Sequence, residues 1–441
     1  MTDLARRDWV PAASEELVQS IAASVAARDS DATHGRILKL IGENNRIHEA
    51  DCLNLNPAAN VMNPRAEAVL GAGLGSRPSL GYPGAKYEMG LEAIEQIEVI
   101  AAELAAEVFR ARYAEVRVPS GAIANLYAFM AFAQAGDSII VPPGNIGGHV
   151  THHDAGAAGL YGLDIHAAPI DAERYTIDPD GLREMARRLR PKVISVGGSL
   201  NLFHHPVAEI RAIADEVGAK VLFDAAHLSG PIAGGSWPDP LAEGAHLMTM
   251  STYKSLGGPP SGLLVTNDSA VAERLDSIAY PGLTANFDAG KTAALAISLL
   301  DWKTHGEAYA LEMTASAQAL AAALRDGGVM VKASELGSTL SHAFAVDARR
   351  YGGGHAAALR LRESNLLSSG IGLPSDTSGN EMGGLRLGLN EAVRWGLTTA
   401  EMPELAGLII RSLEGDDAES VAADVRSFRS RFTDLHFVSQ S

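Results

Sequence analysis

In the stretch M-S-T-Y-K-S-L-G-G-P-P-S-G, residues 250–262, Lys254 sits between an apolar run and a glycine-rich turn. A solvated loop lysine needs no such setting. A lysine that forms a Schiff base does, because its amine must be held at one point and desolvated enough to be neutral near pH 7. Asp224 closes the run K-V-L-F-D, and His227 follows three residues later. A carboxylate at the end of a buried strand is costly without a partner. Two readings fit Asp224: it caps the next helix, or it pairs with a cationic ring nitrogen of a bound cofactor.

Two further stretches carry polar groups where short apolar runs end. In P-S-G-A-I-A-N, residues 119–125, Ser120, Gly121 and Ala122 open a helix, and the free N–H groups of a helix start favour a phosphate. In G-G-H-V-T-H-H-D, residues 147–154, His149 follows two glycines and suits a flat ring laid close to another ring. The spacing of these histidines matches no zinc signature, so no metal site is expected. His152 and His153 read as structural or as supporting hydrogen-bond partners, and His204 and His205 stay outside the expected site.

The elements that must position these residues alternate in type. The apolar runs 116–119, 137–143, 193–198, 220–227, 246–251 and 262–267 are each followed by turn residues and a helix, the pattern of buried parallel strands. They predict an α/β domain with a large doubly wound, mostly parallel sheet, whose ligands collect at the carboxyl ends of the strands. We place an N-terminal helical arm at 1–60, the large domain at 61–304, and a smaller α+β domain at 305–441. Within the arm, Ser14 with Glu16 close by predicts a helix cap. A strong helix begins near residue 92 with its acidic residues outward. Long helices are expected at 308–326 and 400–413, and a docked amphipathic helix at 426–435.

Composition narrows the function classes. The 441 residues carry a net charge of -17, which argues against nucleic-acid binding. Hydrophobic residues are 46% and charged residues 20%, the balance of a globular chain. The single cysteine, Cys52, allows no intrachain disulfide; it reads as a small buried side chain and points to a reducing cytoplasm. Neither a signal peptide nor an apolar run long enough for a membrane span is visible.

Taken in order along the chain, the local strings resemble the serine hydroxymethyltransferase family of fold-type I pyridoxal-phosphate enzymes. D-A-A-H-L-S-G (224–230) resembles the family's D-M-A-H-x-A-G, and M-S-T-Y-K-S-L-G-G-P (250–259) resembles T-T-T-H-K-T-L-x-G-P. G-Y-P-G-A-K-Y (81–87), G-G-H-V-T-H (147–152) and G-L-R-L-G (384–388) resemble G-Y-P-G-K-R-Y, G-G-H-L-T-H and G-I-R-x-G. The resemblance implies pyridoxal 5'-phosphate as cofactor, joined to Lys254. It implies Asp224 on the pyridine nitrogen, His149 stacked on the ring, Ser199 and His227 near the ring oxygen, and Ser120, Gly121 and Ala122 at the phosphate. Arg386 would clamp the substrate carboxylate, with Asn60 and Tyr87 also on the substrate side. A homodimer with shared sites is implied as well, Thr284 or Asn286 reaching the partner's phosphate.

The departures from the family are selective. Leu80 stands where the family has the glutamate that serves proton transfer and folate contact, and Pro78 stands for a tyrosine. Ala58-Ala59-Asn60 replaces S-E-N, Ile371 falls where an asparagine contacts the folate, and Tyr253 replaces the histidine before the lysine. Leucine can neither carry a proton nor accept a hydrogen bond. The groups for cofactor and amino acid survive while those for folate do not. The expectation is therefore an aldolase or transaldolase that makes or breaks the Cα–Cβ bond of a β-hydroxy-α-amino acid without folate. His227, Tyr253 or a water is the candidate base, and Glu88 could return a carboxylate to the pocket. The alternatives are a folate-dependent serine or α-methylserine hydroxymethyltransferase, an aminotransferase or decarboxylase, and a non-catalytic pyridoxal-binding protein.

Overall fold

The computed structural model describes residues 3–376 and 381–439. By contacts the chain divides into two units, Met1–Cys52 and Leu53–Ser441. The first unit is helical, with α1 (Ala12–Ala26) and α2 (Ser30–Asn45). Helix α1 starts earlier than its sequence suggests: Pro11 takes the cap position without a side-chain bond, and Ser14 lies inside the first turn. A proline fits a helix start because its missing N–H would have no partner there. Asp29 caps α2 by accepting from the Ala32 amide.

The second unit is built on a seven-stranded sheet: β1 (Tyr113–Val118), β2 (Ser138–Val141), β3 (Asp164–Ala167), β4 (Val193–Gly197), β5 (Lys220–Asp224), β6 (Leu247–Ser251) and β7 (Gly262–Thr266). The strand order is β1-β7-β6-β5-β4-β2-β3. Neighbours from β6 to β3 pair in parallel, whereas β7 runs antiparallel to both β6 and β1. The sequence reading took β7 as one more parallel strand. A fully buried run reads alike in either direction, and only the length of the connection from β6 tells them apart. Strand β3, D-I-H-A, escaped notice because an edge strand half in water carries no apolar run.

Alternate residues divide between two apolar layers, as a sheet covered on both faces requires. Val221 and Phe223 face one layer and Leu222 the other. Helix α3 (Ile94–Val108) contributes Ala101, Leu104, Ala105 and Val108 to the first layer, and α4 (Gly121–Phe132) contributes Ala124, Tyr127, Ala128 and Phe129 to the second. Each such side chain removed from water contributes about 1.5–3 kcal/mol when large. One acidic residue of α3 is not outward: Glu98 is buried and pairs with Lys86 at 2.7 Å.

The long helix α5 (Ala289–Asp326) begins well before residue 308 and runs unbroken for 38 residues. Its start is set by Asp288, whose side chain accepts from Gly290 and Lys291. Beyond it lies an antiparallel sheet of β8 (Ala343–Asp347), β9 (Ser369–Ile371) and β10 (Gly384–Gly388), in the order β8-β10-β9. Helices α6 (Met402–Glu414) and α7 (Ala418–Arg429) follow. The terminal helix thus lies upstream of the expected 426–435, because Asp417 caps it by accepting from Ser420 N.

Candidate active site

Strands β1, β2, β4, β5 and β6 end on one side of the sheet, and the residues after them close a cavity. Gly197 and Thr249 flank Asp224 in register. The cavity is lined by Ser120, Gly121 and Ala122 after β1, His149, Ser199 after β4, Asp224 and His227 at the end of β5, and Tyr253 and Lys254 after β6, with Asn125 and Ser251 among the remaining walls. Every residue of the expected cofactor set except Thr284 therefore meets in one place. Gly121 is required by close approach: a Cβ there would stand 2.0 Å from Ser251 Oγ. Ser120 caps α4 by accepting from Ile123 N, leaving the first-turn amides of Gly121 and Ala122 without helical partners. The two loops carrying His149 and Ser199 are tied by Ser199 N donating to Gly147 O at 2.6 Å.

Asp224 is 2% exposed. Its Oδ2 accepts from His152 Nε2 at 2.8 Å and from Asn125 Nδ2 at 3.0 Å, and its Oδ1 accepts from Ala226 N at 3.0 Å. Burial alone would raise the carboxyl pKa, but the His152 bond, the charges of His152 and His149, and the Ala226 amide outweigh it. The carboxyl is held well below its usual range and stays ionised. His152 is thus one of the supporting hydrogen-bond partners that the sequence allowed, and it shares Asp224 with Asn125 and the Ala226 amide.

Lys254 is 6% exposed. Burial depresses its amine to about 8; Asp224 opposes this and Arg386 adds to it. His149 is lowered to about 4 by burial, against the pull of Asp224. Burial, then the charges of Lys254 and Arg386, push His227 well below its ordinary value, so it is neutral at pH 7. Among the described residues its Nδ1 has no hydrogen-bond partner.

Arg386, on β10, reaches the same region. Its Nη1 donates to Ser199 O and stands 3.5 Å from His227 Nε2, while Nε and Nη2 donate to Ser369 Oγ. Burial lowers the guanidinium to about 10. Among the described residues no carboxylate lies within ion-pair distance of it. A buried guanidinium without a counter-ion is a ready anion site.

Three expected residues lie elsewhere. Tyr87 is 78% exposed, and the neighbouring Glu88 carboxylate accepts from Leu80 N at 3.3 Å. Thr284 is buried, its hydroxyl without a partner among the described residues, and Asn286 accepts from Ser79 N. Asn60 donates to Tyr309 OH at 3.1 Å and to Ser255 O, one residue past Lys254. His153 and His205 bond to Pro142 O and Asn201, away from the cavity. Sequence reasoning missed Asn125, Thr151 and Thr249, which bond into the cavity wall. The available signal was an amide set in the otherwise apolar helix G-A-I-A-N-L-Y-A-F-M-A-F. It also missed His342, a buried histidine lowered to about 3 by burial and by Arg386.

The chemistry of these donors fits pyridoxal phosphate. An ionised carboxylate suits a protonated pyridine nitrogen, a desolvated amine suits a carbonyl, and a helix start suits a phosphate. No group of three histidine, cysteine, aspartate or glutamate side chains among the described residues could hold a metal. No described helix is long and apolar enough to cross a membrane.

Comparison with known proteins agrees. Residues 30–409 match the family model described as serine hydroxymethyltransferase. The chain is 62% identical over 435 residues to an alpha-methylserine aldolase of Variovorax paradoxus, covering 99% of both. It is 55% identical over 433 residues to an alpha-methylserine aldolase of Ralstonia sp, covering 98% of this chain and 99% of that one. It is 35% identical over 405 residues to a serine hydroxymethyltransferase of Sulfolobus acidocaldarius, covering 91% and 94%. The ionised carboxylate, the desolvated lysine and these full-length matches together establish that the chain belongs to the serine hydroxymethyltransferase family of pyridoxal-phosphate enzymes.

Proposed function

We propose that this enzyme cleaves the Cα–Cβ bond of a β-hydroxy-α-amino acid by a folate-independent aldol reaction, with α-methylserine as substrate and formaldehyde and alanine as products. One observation carries the reading: the cavity gathers the cofactor-side groups with Arg386 beside His227, while Leu80 and Ile371 are apolar where the family's folate-side residues are polar. The aldolases of Variovorax and Ralstonia, similar over nearly their whole length, support it.

In this reading Lys254 holds the cofactor through its amine, Asp224 keeps the ring nitrogen protonated, His149 lies against the ring, Ser199 and His227 stand near the ring oxygen, and Ser120, Gly121 and Ala122 take the phosphate. When bound, pyridoxal phosphate supplies an electron sink for the pair left on Cα. Arg386 binds the amino-acid carboxylate, a planar fork matched to that group. That carboxylate also cancels one of the charges that keep His227 from accepting a proton. We assign the β-hydroxyl proton to the neutral His227. As it leaves, the Cβ–O bond becomes a carbonyl, the Cα–Cβ bond breaks, and Cα then takes up a proton. Tyr253 lines the same cavity and completes the wall beside the lysine.

The enzyme is further proposed to be a homodimer with shared sites, in the cytoplasm. Tyr87, 78% exposed, ends the segment that resembles the family's G-Y-P-G-K-R-Y, and Met89, 83% exposed, follows two residues on; both suit contact with a second copy. Thr284 then serves the partner's phosphate across that contact, and Tyr87 and Asn60 are assigned to the substrate side.

The test is aldehyde release from α-methylserine and serine, with and without tetrahydrofolate. Formaldehyde and alanine formed at a rate indifferent to folate is the expected result. A large increase on adding tetrahydrofolate, with methylene-tetrahydrofolate formed, would replace this reading by a hydroxymethyl transfer. Keto acid or carbon dioxide in place of aldehyde would replace it by transamination or decarboxylation.

A further inference from the structure

Along the wall of the cavity runs a chain of hydrogen bonds among groups that are mostly withdrawn from water. Asn125, Thr151, Asp224 and Thr249 are all at most 5% exposed. In such a setting each proton position is fixed by what its neighbours are able to donate or accept.

The logic starts at Asp224, an ionised carboxylate that only accepts. Asn125 must therefore turn Nδ2 toward it, at 3.0 Å, and its Oδ1 faces Thr249, whose hydroxyl donates at 2.6 Å. The second Nδ2 hydrogen goes to Thr151 Oγ1 at 2.9 Å. Having accepted there, Thr151 directs its own hydroxyl hydrogen to His149 Nδ1, 2.9 Å away, and its backbone N–H approaches the same nitrogen at 3.3 Å. Nδ1 receives two donors, so it carries no proton.

We infer that Asn125 is a positioning residue: through Thr151 it fixes His149 as the neutral tautomer protonated at Nε2, while it donates to the Asp224 carboxylate. One amide thus bonds both to the carboxylate and to the hydroxyl that faces His149. The depressed basicity of His149 agrees with a neutral ring. The inference rests on the proposed function only in placing His149 against the cofactor.

The experiment is magic-angle-spinning nitrogen NMR of the holoenzyme carrying ring-15N histidine, with no substrate present. A His149→Gln variant identifies the His149 signals. The expected wild-type pattern is a protonated Nε2 and an unprotonated Nδ1. Thr151→Val, which keeps the shape and loses the hydroxyl, is expected to give a mixture of tautomers, and Thr151→Ser to restore one. Asn125→Ser, too short to reach both partners, should give the same mixture if Thr151→Val does not fold. A protonated Nδ1 in the wild type, or an unchanged His149 pattern in the Thr151→Val or Asn125→Ser variant, would overturn the inference. Failure to release formaldehyde would sink the proposed reaction and leave the tautomer standing, so the two can fail separately.

Discussion

At Lys254 the ammonium has lost most of its water and gained only the distant charge of Asp224 in return, so the neutral amine is reached near pH 8 and not near the usual 10.5. The neutral form is the nucleophile that joins a carbonyl, and its fraction grows roughly tenfold per pH unit below that value. Uptake of pyridoxal phosphate by cofactor-free enzyme should therefore quicken as pH rises from 6 and level off above about 8. Stopped-flow absorbance in the visible band measures it. A rate that keeps climbing tenfold between pH 9 and 10 would mean an ordinary, solvated lysine. This setting was legible from the chain, because an apolar strand and a glycine-rich turn frame Lys254. The hydrogen bond from His152 to Asp224 was not, since 72 residues separate them and they meet only once α4 packs against both β5 and the turn that carries His152.

Among elements, the ends of β4 and β5 decide where the cofactor-facing groups stand. Gly197 closes β4 with φ +87°, and a Cβ there would lie 2.3 Å from the carbonyl oxygen of Asp224. Alanine would meet both the left-handed strain, about 1–2 kcal/mol, and the overpacking, about 1–3 kcal/mol. Gly197→Ala should therefore lower the urea midpoint and weaken cofactor affinity together, since the backbone it strikes carries Asp224. Gly84→Ala, at φ +81° with nothing within 4 Å of the new Cβ, should show only the smaller strain. Equal midpoints for both variants would contradict this account. The reversed direction of β7 belongs to the same scale: its residues announced a buried strand, and its pairing partners chose the direction.

For the whole molecule, acid should act through histidines buried in neutral form. His149, His205 and His246 are lowered to about 4, His342 to about 3 and His227 well below its ordinary value, burial being the first cause in each. The unfolded chain takes up protons at these residues near pH 6.5, while the native protein does not until the pH reaches the lower values. Stability is thus fully present above about 6.5 and is lost as pH falls toward 4, at up to about 1.4 kcal/mol per pH unit for each such histidine. Melting temperatures of the cofactor-free protein between pH 7 and 4 measure the slope, and a flat profile would refute it. The proposed homodimer is checked by sedimentation equilibrium of the active species, where the mass of a single chain would rule it out. The division at 61–304 and 305–441 is likewise retained as a proposal. The seven-stranded sheet falls within the first part and the three-stranded sheet within the second, but Leu53–Asn54 pairs in parallel with Leu366–Leu367, and α5 crosses the boundary as a single helix.

By itself the sequence determined the kind of chemistry and the strands that carry it. Short-range features suffice for that: an apolar run ending in Asp224, a lysine before glycines, a helix opening on Ser120, and strings in family order. The tertiary structure alone decided which groups share a proton and which charges stand unpaired. Asn125, Thr151 and His149 become one network, and Arg386 meets Ser199 and His227, only when elements far apart in the chain are folded against each other. Hydrogen-bond geometry and loss of water are properties of that packing, and no local pattern of residues encodes them.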